Sequence, residues 1–469
     1  MLIAIANRLA LEEENKTFRS VSVVLSALEK CMKYVDPRVL VDKALTLRGS
    51  VLRVSDVFGH SKELELQSFS SIYTVGAGKA ASRMAQGVCQ KLGQRIAGGA
   101  INVPYETRSV VSKITMTKAG HPSPDQSGIE GTKKIINILE KSADTDLIIV
   151  LLSGGASALM PLPRDEITLR QKKTVIGMLM SAGASIRELN VVRKHLSMIK
   201  GGQMLQFVKK HTTIISFVIS DVVGDDLEVI ASGPTFHDSS TYNDAANILK
   251  KYNLWNKRRK ALEICKYIIT QGIQGVLAET PKPGDERFEN VYNFLIGNNT
   301  ILCKRLVQFL KRYNINSSYL GSTFDGEAKS FGKNLAKLSS RAISSRGDLP
   351  FAYVMGGETI VRLNQRKSNG IGGRNQEAVL AALMNSNLAK THDVTIACIG
   401  TDGIDGNSDA AGALITPQTS SLVKKRKINL YKYLYSHDSF SILDKLNSTI
   451  KTGLTETNVN DIAIVCRLS

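Results

Sequence analysis

Short apolar runs that alternate with amphipathic stretches recur through most of the sequence, and this alternation constrains the fold more than any other feature. The run Leu147–Leu152 consists of six aliphatic residues and stops at Ser153, whereas a membrane-spanning helix needs roughly 18 apolar residues in succession. Strands that alternate with helices are typical of a parallel sheet flanked by helices. We therefore predict an α/β fold and no membrane-spanning segment.

A charged, proline-containing segment at residues 280–287 (TPKPGDER) predicts an exposed connection between two domains. We place these domains at residues 1–280 and 281–469. The clearest predicted strands end in loops of small or acidic residues, the place where open α/β sheets bind ligands. Predicted strands are residues 72–75, 100–103, 113–117, 147–152 and 213–219 before the connection, and residues 291–296, 317–320, 351–354, 359–363, 394–399 and 462–465 after it.

The charge balance favours anionic partners. Lysine and arginine (61) outnumber aspartate and glutamate (42), which gives a net charge of +19. The basic residues are dispersed in short runs without the interleaved aromatic residues of a single-strand nucleic-acid site. We therefore predict a surface that attracts acidic metabolites and a protein that does not bind nucleic acid.

Targeting and metal-binding patterns exclude further classes. Residues 1–10 are apolar but lack a basic region before them and are followed by Glu12, Glu13 and Glu14, so we predict a cytoplasmic protein without a signal peptide. The six cysteines and seven histidines show no CxxC or HExxH spacing, so no zinc site is predicted.

The loop at residues 76–81 (GAGKAA) has the G-x-G-x-x-A spacing that brings backbone N–H groups close to a phosphate at a helix N-terminus. Lys79 adds a positive charge for an anionic group. A dinucleotide site also needs an acidic residue about 20 residues later to hold a ribose, and residues 98–103 contain none. Gly76, Gly78 and Lys79 are therefore candidate phosphate-binding residues, with a plain strand-to-helix turn as the alternative.

Residues 151–159 (LLSGGASAL) again place small residues at the end of an apolar strand. Such residues form a nest of N–H donors, and the two serines add hydroxyl groups, so we assign Ser153, Gly154, Gly155 and Ser157 to a phosphate or carboxylate. A simple turn is the alternative. A nucleophilic serine is disfavoured, because the order SGGxS differs from GxSxG and no histidine can be assigned as its base.

A basic helix is predicted at residues 189–196 (LNVVRKHL). It places Asn190, Arg193 and Lys194 within about one turn, so at least two of them share a face that suits an anionic substrate. An ordinary basic helix surface is the alternative.

An acidic loop follows the strand predicted at residues 213–219 and contains Asp221 and Asp225 (SDVVGDD). Proteins hold Mg²⁺ through one or two carboxylates while substrate phosphates complete the coordination shell. We assign Asp221 and Asp225 to Mg²⁺, with a solvated acidic turn as the alternative.

The second half carries two more loops of this kind. In GGRNQE, Gly372 and Gly373 bring the backbone close to a ligand, and Arg374 opens a helix from which it can contact phosphate oxygens with two N–H groups. In GTDGIDG, Asp402 and Asp405 could bind metal or substrate hydroxyls. Because both halves carry phosphate-type loops, we predict a ligand site in a cleft between two domains.

Taken together, these loops resemble the class II glycerate kinases, whose C-terminal region is called the MOFRL domain. The resemblance implies an N-terminal Rossmann-like αβα domain with a mainly parallel sheet and a smaller C-terminal α/β domain. It also implies transfer of the γ-phosphoryl group of ATP, with Mg²⁺, to D-glycerate, giving 2-phosphoglycerate, and active-site cations at Lys79 and Arg374. The motifs that carry it are GAGKAA, AGHPSPD, LLSGGASAL, LNVVRKHLS, SDVVGDD, ASGPT, GGET, GGRNQE and GTDGIDG.

Four positions depart from the family pattern. Ser368 and Ile371 stand where the approach to the GGRNQE arginine usually has a further glycine and a basic residue. Leu454 and Glu456 replace a proline and a glycine of the usual TGPTGTNVND. We expect these departures to affect the geometry of the nucleotide loop.

In the resulting kinase scheme, the loop at residues 153–157 holds glycerate with Arg193 or Lys194, and Asp402 or Asp405 accepts the substrate proton. An NAD(P)H-dependent hydroxypyruvate reductase is an alternative, which the missing ribose-binding acid disfavours. A non-catalytic protein that binds anions or RNA is a third reading. We predict either a monomer or a homodimer.

Overall fold

The computed structural model describes residues 4–344, 349–363 and 370–469, and the chain divides into two units. The first unit is Pro37–Ile296. The second unit combines Met1–Asp36 with Gly297–Ser469.

The first unit is built on a parallel sheet. Its strands are β1 (Leu45–Arg48), β2 (Val51–Ser55), β3 (Ser61–Glu65), β4 (Ile72–Ala77), β5 (Ile96–Pro104), β6 (Thr115–Ala119), β7 (Leu147–Leu152), β8 (Thr213–Ile219) and β9 (Val291–Gly297). Six of them form one sheet in the order β6-β5-β4-β7-β8-β9, and neighbours from β6 to β8 run parallel. Every residue of β7 is buried, as expected of parallel strands covered on both faces.

The first unit also contains eight α-helices within its described residues. They are α3 (Pro37–Ala44), α4 (Ala81–Leu92), α5 (Gln126–Lys141), α6 (Ala156–Leu159), α7 (Leu169–Ser181), α8 (Ile186–His195), α9 (Tyr242–Lys251) and α10 (Lys260–Ile273). Side-chain caps define several of their starts: Thr168 and Ser185 each form a reciprocal capping box, at α7 and α8. Because these caps fix the residue at which a helix begins, they also fix where the preceding loop ends.

The second unit has a mixed sheet. Its strands are β10 (Asn316–Tyr319), β11 (Phe351–Gly357), β12 (Val394–Gly400), β13 (Gly412–Ile415), β14 (Thr449–Ile450) and β15 (Asp461–Arg467). Their order is β10-β11-β15-β12-β13-β14, with β10 and β11 parallel and the other neighbours antiparallel. The last strand in sequence order, β15, therefore lies inside the sheet.

The helices of the second unit include two from the start of the chain. They are α1 (Arg8–Glu14), α2 (Arg19–Tyr34), α11 (Asn299–Lys311), α12 (Ala328–Ser344), α13 (Arg374–Asn385), α14 (Pro417–Lys425), α15 (Leu430–Tyr435) and α16 (Ser439–Lys445). On α2, the buried residues Val21, Val24, Leu25 and Leu28 follow the spacing of one helix face. This helix packs against α11, β12 and β15.

The predicted α/β class is confirmed, and the structure differs from the prediction in particular elements. β9 completes the sheet of the first unit instead of opening the second domain, and residues 1–36 belong to the second unit. These bounds differ from the predicted 1–280 and 281–469, because apolarity identifies a strand but not the sheet it joins. Residues 359–363 form no strand, and Ile360 makes only an isolated bridge with Glu327.

The sheet of β1 to β3 also lies outside what the apolar pattern predicts. These strands (LTLR, VLRVS and SKELE) place charged residues among apolar ones and are partly exposed, so they lack an apolar run. Among the described residues, no helix combines the length and the apolar character that crossing a bilayer requires. The cytoplasmic location and the oligomeric state stay predictions.

Candidate active site

Two of the predicted loops meet at one edge of the first unit's sheet. β4 and β7 are parallel neighbours, and their register pairs Gly76 with Leu151 and Ala77 with Leu152. Since both strands end at this edge, the loop after β4 and the loop after β7 start side by side.

Backbone and side-chain hydrogen bonds join these two loops. The backbone N–H of Lys79 donates to the carbonyl of Gly154 at 2.9 Å, and the N–H of Ala80 donates to Oγ of Ser153 at 3.0 Å. Gly78 has φ +141°, and a Cβ there would overlap Oγ of Ser153. Ser153 is therefore a buried link between the loops, and its predicted role as a ligand-binding hydroxyl is revised.

Lys79 lies beside the start of α6. Gly155, which precedes α6, has φ +84°, and a Cβ there would lie 3.5 Å from Cγ of Lys79 and 2.8 Å from Cδ2 of His121. Lys79, Gly155 and His121 are thus neighbours. His121 belongs to the AGHPSPD motif, but it was not among the residues that spacing alone selects.

A chain of hydrogen bonds continues from α6 to α8 through five polar side chains. It links Lys200, Ser157, Ser232, Asn190 and Arg193 in that order. Lys200 Nζ donates to Ser157 Oγ at 3.0 Å, and the Oγ atoms of Ser157 and Ser232 are 3.0 Å apart. Ser232 Oγ donates to Asn190 Oδ1 at 3.4 Å, and Arg193 Nη1 donates to the same oxygen at 3.2 Å. Predicted residues Ser157, Asn190 and Arg193 are therefore brought together.

Burial partly removes from water the two cations at the ends of this series of hydrogen bonds, Lys200 and Arg193. Burial and, to a smaller extent, the nearby charge of Arg193 lower the pKa of Lys200 to about 7. Burial also lowers the pKa of Arg193. Only 4% of Lys200 is exposed, so the arrangement can bind an anion with little competition from water.

Lys194 has a different role from the one predicted. Its Nζ lies 3.0 Å from Asp238 Oδ1 and 3.5 Å from Glu228 Oε2, in a buried ion pair. The prediction grouped Lys194 with Asn190 and Arg193 because they are close in sequence. The correction follows from two carboxylates that come from a distant segment and neutralise its charge.

The predicted metal residues lie after β8. Asp221 and Asp225 are half-buried, and Asp225 has φ +56°. Within residues 4–344, 349–363 and 370–469, no group of three or more His, Cys, Asp or Glu side chains is arranged to hold a metal ion. A site that uses two carboxylates together with substrate phosphates fits this donor set, so the assignment to Mg²⁺ stays a prediction.

In the second unit, carboxylates hold Arg374 at the start of α13. Its Nε donates to Asp461 Oδ2 at 2.6 Å and its Nη2 donates to Asp461 Oδ1 at 3.0 Å, which is a two-pronged contact. Its Nη1 donates to Glu358. A guanidinium has five N–H donors, so two remain beyond these three contacts among the described residues.

At Asp461 and Arg374, burial and the charge of the neighbouring group shift the pKa in opposite directions. Burial raises the pKa of Asp461 to about 7, while the charge of Arg374 acts to lower it. Burial also acts to lower the pKa of Arg374, but the charges of Asp461 and Glu358 raise it above its usual value. We therefore treat Arg374 as a permanently charged group with a fixed orientation.

Asp405 is not placed to act as a base, which corrects the prediction. Its Oδ1 accepts from the N–H of Asn375 at 3.0 Å, and its Oδ2 accepts from the N–H of Gln376 at 2.8 Å. Both oxygens thus bind the N-terminus of α13, where a carboxylate is favoured by unpaired N–H groups and by the helix dipole. Burial raises the pKa of Asp405, although these donors act against the shift.

The glycines before Arg374 are packed against protein. A Cβ on Gly373 would overlap Asp405, and a Cβ on Gly372 would overlap Oγ of Ser439. The close approach that these glycines permit is therefore to neighbouring segments of the chain. This contact holds the loop at residues 400–406 against the start of α13.

Asp402 follows β12 near Asp461. Its Oδ1 accepts from the N–H of Ile404 at 3.3 Å. A Cβ on Gly400 would lie 3.4 Å from both Asp402 Oδ1 and Asp461 Oδ1, so the two carboxylates flank the same glycine. Asp402 therefore belongs to the neighbourhood of Arg374.

The departures from the family pattern have visible consequences at one position. Glu456 has φ +54°, a left-handed conformation that glycine adopts without strain. Leu454 and Ile371 are exposed. Ser368 lies outside the described residues.

Several site residues were missed by reasoning from single loops. Lys200 and Ser232 contact predicted residues, and Glu358 and Asp461 hold Arg374. Each of these residues lies in or beside one of the family motifs. The motifs could therefore have identified them, although the spacing of residues within one loop does not.

Two family models match the chain. One, described as "Domain of unknown function (DUF4147)", matches residues 23–265. The other, described as the MOFRL family, matches residues 351–461. Together the two matches include every loop described above.

Proteins similar along most of their length are also known. The chain is 36% identical over 421 residues to a glycerate 2-kinase of Pyrococcus horikoshii, which covers 88% of this chain and 91% of that protein. It is 36% identical over 396 residues to a D-glycerate 2-kinase of Thermotoga maritima, with coverage of 84% and 90%. A crystal structure of glycerate kinase from Thermotoga maritima aligns with a TM-score of 0.81 at 32% identity, covering 95% of this chain and 99% of that chain.

Proposed function

Because the chain belongs to the class II glycerate kinases of the MOFRL family, we propose that it transfers the γ-phosphoryl group of ATP to the 2-hydroxyl of D-glycerate. The products are ADP, 2-phosphoglycerate and the proton of the hydroxyl group. Glycerate kinase activity follows from family membership, whereas ATP as donor and the 2-hydroxyl as acceptor are the content of the proposal.

One observation supports the proposal most directly: Arg374 is held rigidly while keeping donors for a ligand. Asp461 and Glu358 orient its guanidinium, and two N–H groups remain beyond their contacts in the described part of the chain. Phosphoryl transfer depends mainly on positioning and on stabilising the charge of the transferred group. A fixed guanidinium performs both tasks.

The first unit supplies the other parts of the scheme. Lys79 neutralises charge on the phosphoryl group, next to the backbone N–H groups of Gly154 and Gly155. Ser157, Asn190 and Arg193 bind D-glycerate.

Asp221 and Asp225 would hold Mg²⁺, which would supply positive charge to neutralise the ATP phosphates. Of the two candidate bases, Asp402 accepts the proton of the substrate hydroxyl, because both oxygens of Asp405 bind α13.

The scheme draws on residues of both units, because Lys79 belongs to the first unit and Arg374 to the second.

Phosphorus NMR of the purified protein with Mg·ATP and D-glycerate tests the reaction. We expect a phosphomonoester signal that requires glycerate, and its shift and splitting distinguish 2-phosphoglycerate from 3-phosphoglycerate. A sample without glycerate corrects for ATP hydrolysis. Absence of a product with folded protein and several divalent metals would contradict the proposal, and steady NADH oxidation with hydroxypyruvate in the absence of ATP would favour the reductase.

A further inference from the structure

In the first unit, the buried Lys200 and the half-buried Arg193 have no carboxylate partner within the described part of the chain. Their hydrogen bonds go to neutral groups: Lys200 donates to the carbonyl and hydroxyl of Ser157, and Arg193 donates to Asn190. The adjacent Lys194, by contrast, has two carboxylates. A buried charge without an opposite charge costs several kcal/mol, so this pair is suited to an anion supplied by a ligand.

Neighbouring cations strengthen the positive potential but have structural partners of their own. Lys172 donates to the carbonyls of Arg193 and Leu196, and Arg164 donates to the carbonyl of His195. Both therefore bind the C-terminal end of α8, where carbonyl groups are unpaired and cations are favoured. The carbonyl end of α8 therefore stabilises the charges of Lys172 and Arg164, whereas Lys200 and Arg193 donate to a serine and an asparagine.

We infer that Lys200, together with Arg193, binds the carboxylate of D-glycerate and makes that carboxylate a requirement for substrate binding; this inference rests on the proposed function. The carboxylate is the only charged group of glycerate, whereas the phosphates of ATP have Lys79 and Arg374. Ser157, which accepts from Lys200, also belongs to the loop beside Lys79. The carboxylate would therefore lie next to the reacting end of the substrate. Lys200 replaces Lys194 as the binding lysine of the scheme.

The protonation of Lys200 gives this inference a second readout. Lys200 faces Arg193 on α8, Lys172 on α7 and the hydroxyl of Ser157 on α6, and no acidic group contributes to its shift. Because burial lowers its pKa to about 7, Lys200 loses its proton as the pH rises above 7. The carboxylate of glycerate stays ionised over the same range, so glycerate affinity falls.

Calorimetric titration of the full-length protein tests the inference without requiring turnover. The ligands are D-glycerate and its neutral analogue D-glyceramide, each titrated with and without Mg·ADP. The test variant is Lys200→Met, which keeps a similar length and removes the charge. The matched control is Lys209→Met, because Lys209 is an exposed lysine of the same unit. Thermal melting establishes that each variant is folded.

We expect D-glycerate to bind Lys200→Met at least about tenfold more weakly than the wild type and to bind Lys209→Met within about twofold. D-Glyceramide should bind the wild type and Lys200→Met equally, because its neutral amide forms no ion pair with Lys200. If Lys200→Met fails to fold, Lys200→Arg and the wild type at pH 6 and pH 9 decide the matter. A glycerate affinity about tenfold or more weaker at pH 9 supports the inference, and equal affinities overturn it.

The outcomes separate this inference from the proposed reaction. Equal glycerate affinity of the wild type and Lys200→Met overturns the inference alone. A selective loss of Mg·ATP binding in Lys200→Met assigns a phosphate to Lys200 and also overturns it. Glycerate binding that depends on Lys200, combined with no phosphoryl transfer by NMR, supports the inference and overturns the proposed reaction.

Discussion

At the residue scale, Lys79 and Arg374 bear the positive charges of the proposed reaction. We predict that Lys79→Met and Arg374→Ala each lower kcat by roughly 100-fold or more, since loss of one group that stabilises transition-state charge costs about 3 kcal/mol. Steady-state kinetics with D-glycerate and Mg·ATP measure the effect. Lys209→Met and Arg258→Ala, which change exposed residues, serve as controls. A loss below about threefold in both active-site variants is incompatible with the scheme.

Glu456 is a residue-scale test of the family departure. Its φ of +54° is costly for a side chain with a Cβ, by roughly 1 kcal/mol. We predict that Glu456→Gly raises the free energy of unfolding by about that amount, as measured by denaturant titration. Glu456→Ala is the matched control, because it removes the carboxylate and keeps the strain. Equal stabilisation by both variants would show that the carboxylate, not the backbone, is responsible.

The residue types of the site could be predicted, but their partners could not. Motifs single out Lys79 and Arg374, whereas the roles predicted for Lys194 and Asp405 do not match the contacts that these residues make. In both errors the deciding contact joins distant segments: Lys194 with Asp238, and Asp405 with the N–H groups that begin α13. Spacing within one loop carries no information about such partners.

At the element scale, hydrogen bonds and close contacts at a glycine constrain the joined loops after β4 and β7. We predict that Gly78→Ala destabilises the protein by roughly 2 kcal/mol or more, because Gly78 has φ +141° and the new Cβ would overlap Ser153. Gly177→Ala in α7 is the opposite control: nothing lies within 4 Å of a Cβ there. It should stabilise α7 by roughly 0.5–1 kcal/mol. Thermal or denaturant unfolding that changed in the same direction for both variants would contradict this account.

Strands could be predicted from the sequence where burial on both faces of the sheet requires an apolar run. β4, β7, β8 and β12 are of this kind. The antiparallel strands β1 to β3 are partly exposed and contain charged residues, so the same rule misses them. The region at residues 359–363 shows the converse, since its apolar pattern makes only an isolated bridge, between Ile360 and Glu327, within the part of the chain that the structure describes.

At the scale of the whole molecule, the start of the chain stabilises the second unit. We predict that Leu25→Ala in α2, a fully buried position, costs about 2–5 kcal/mol. Hydrogen exchange should increase in β12 and β15, against which α2 packs, and should stay unchanged in β7 of the first unit. Leu9→Ala is the control, because Leu9 is 83% exposed. Faster exchange in both units alike would contradict the observed division of the chain.

The position of β15 also has a consequence for biosynthesis. Asp461 is translated 87 residues after its partner Arg374, and its strand must insert between β11 and β12. A ribosome therefore completes all of the first unit before the anchor of Arg374 exists. A nascent or prematurely terminated chain that lacks β15 therefore also lacks Asp461 and the two-pronged contact that orients the guanidinium of Arg374.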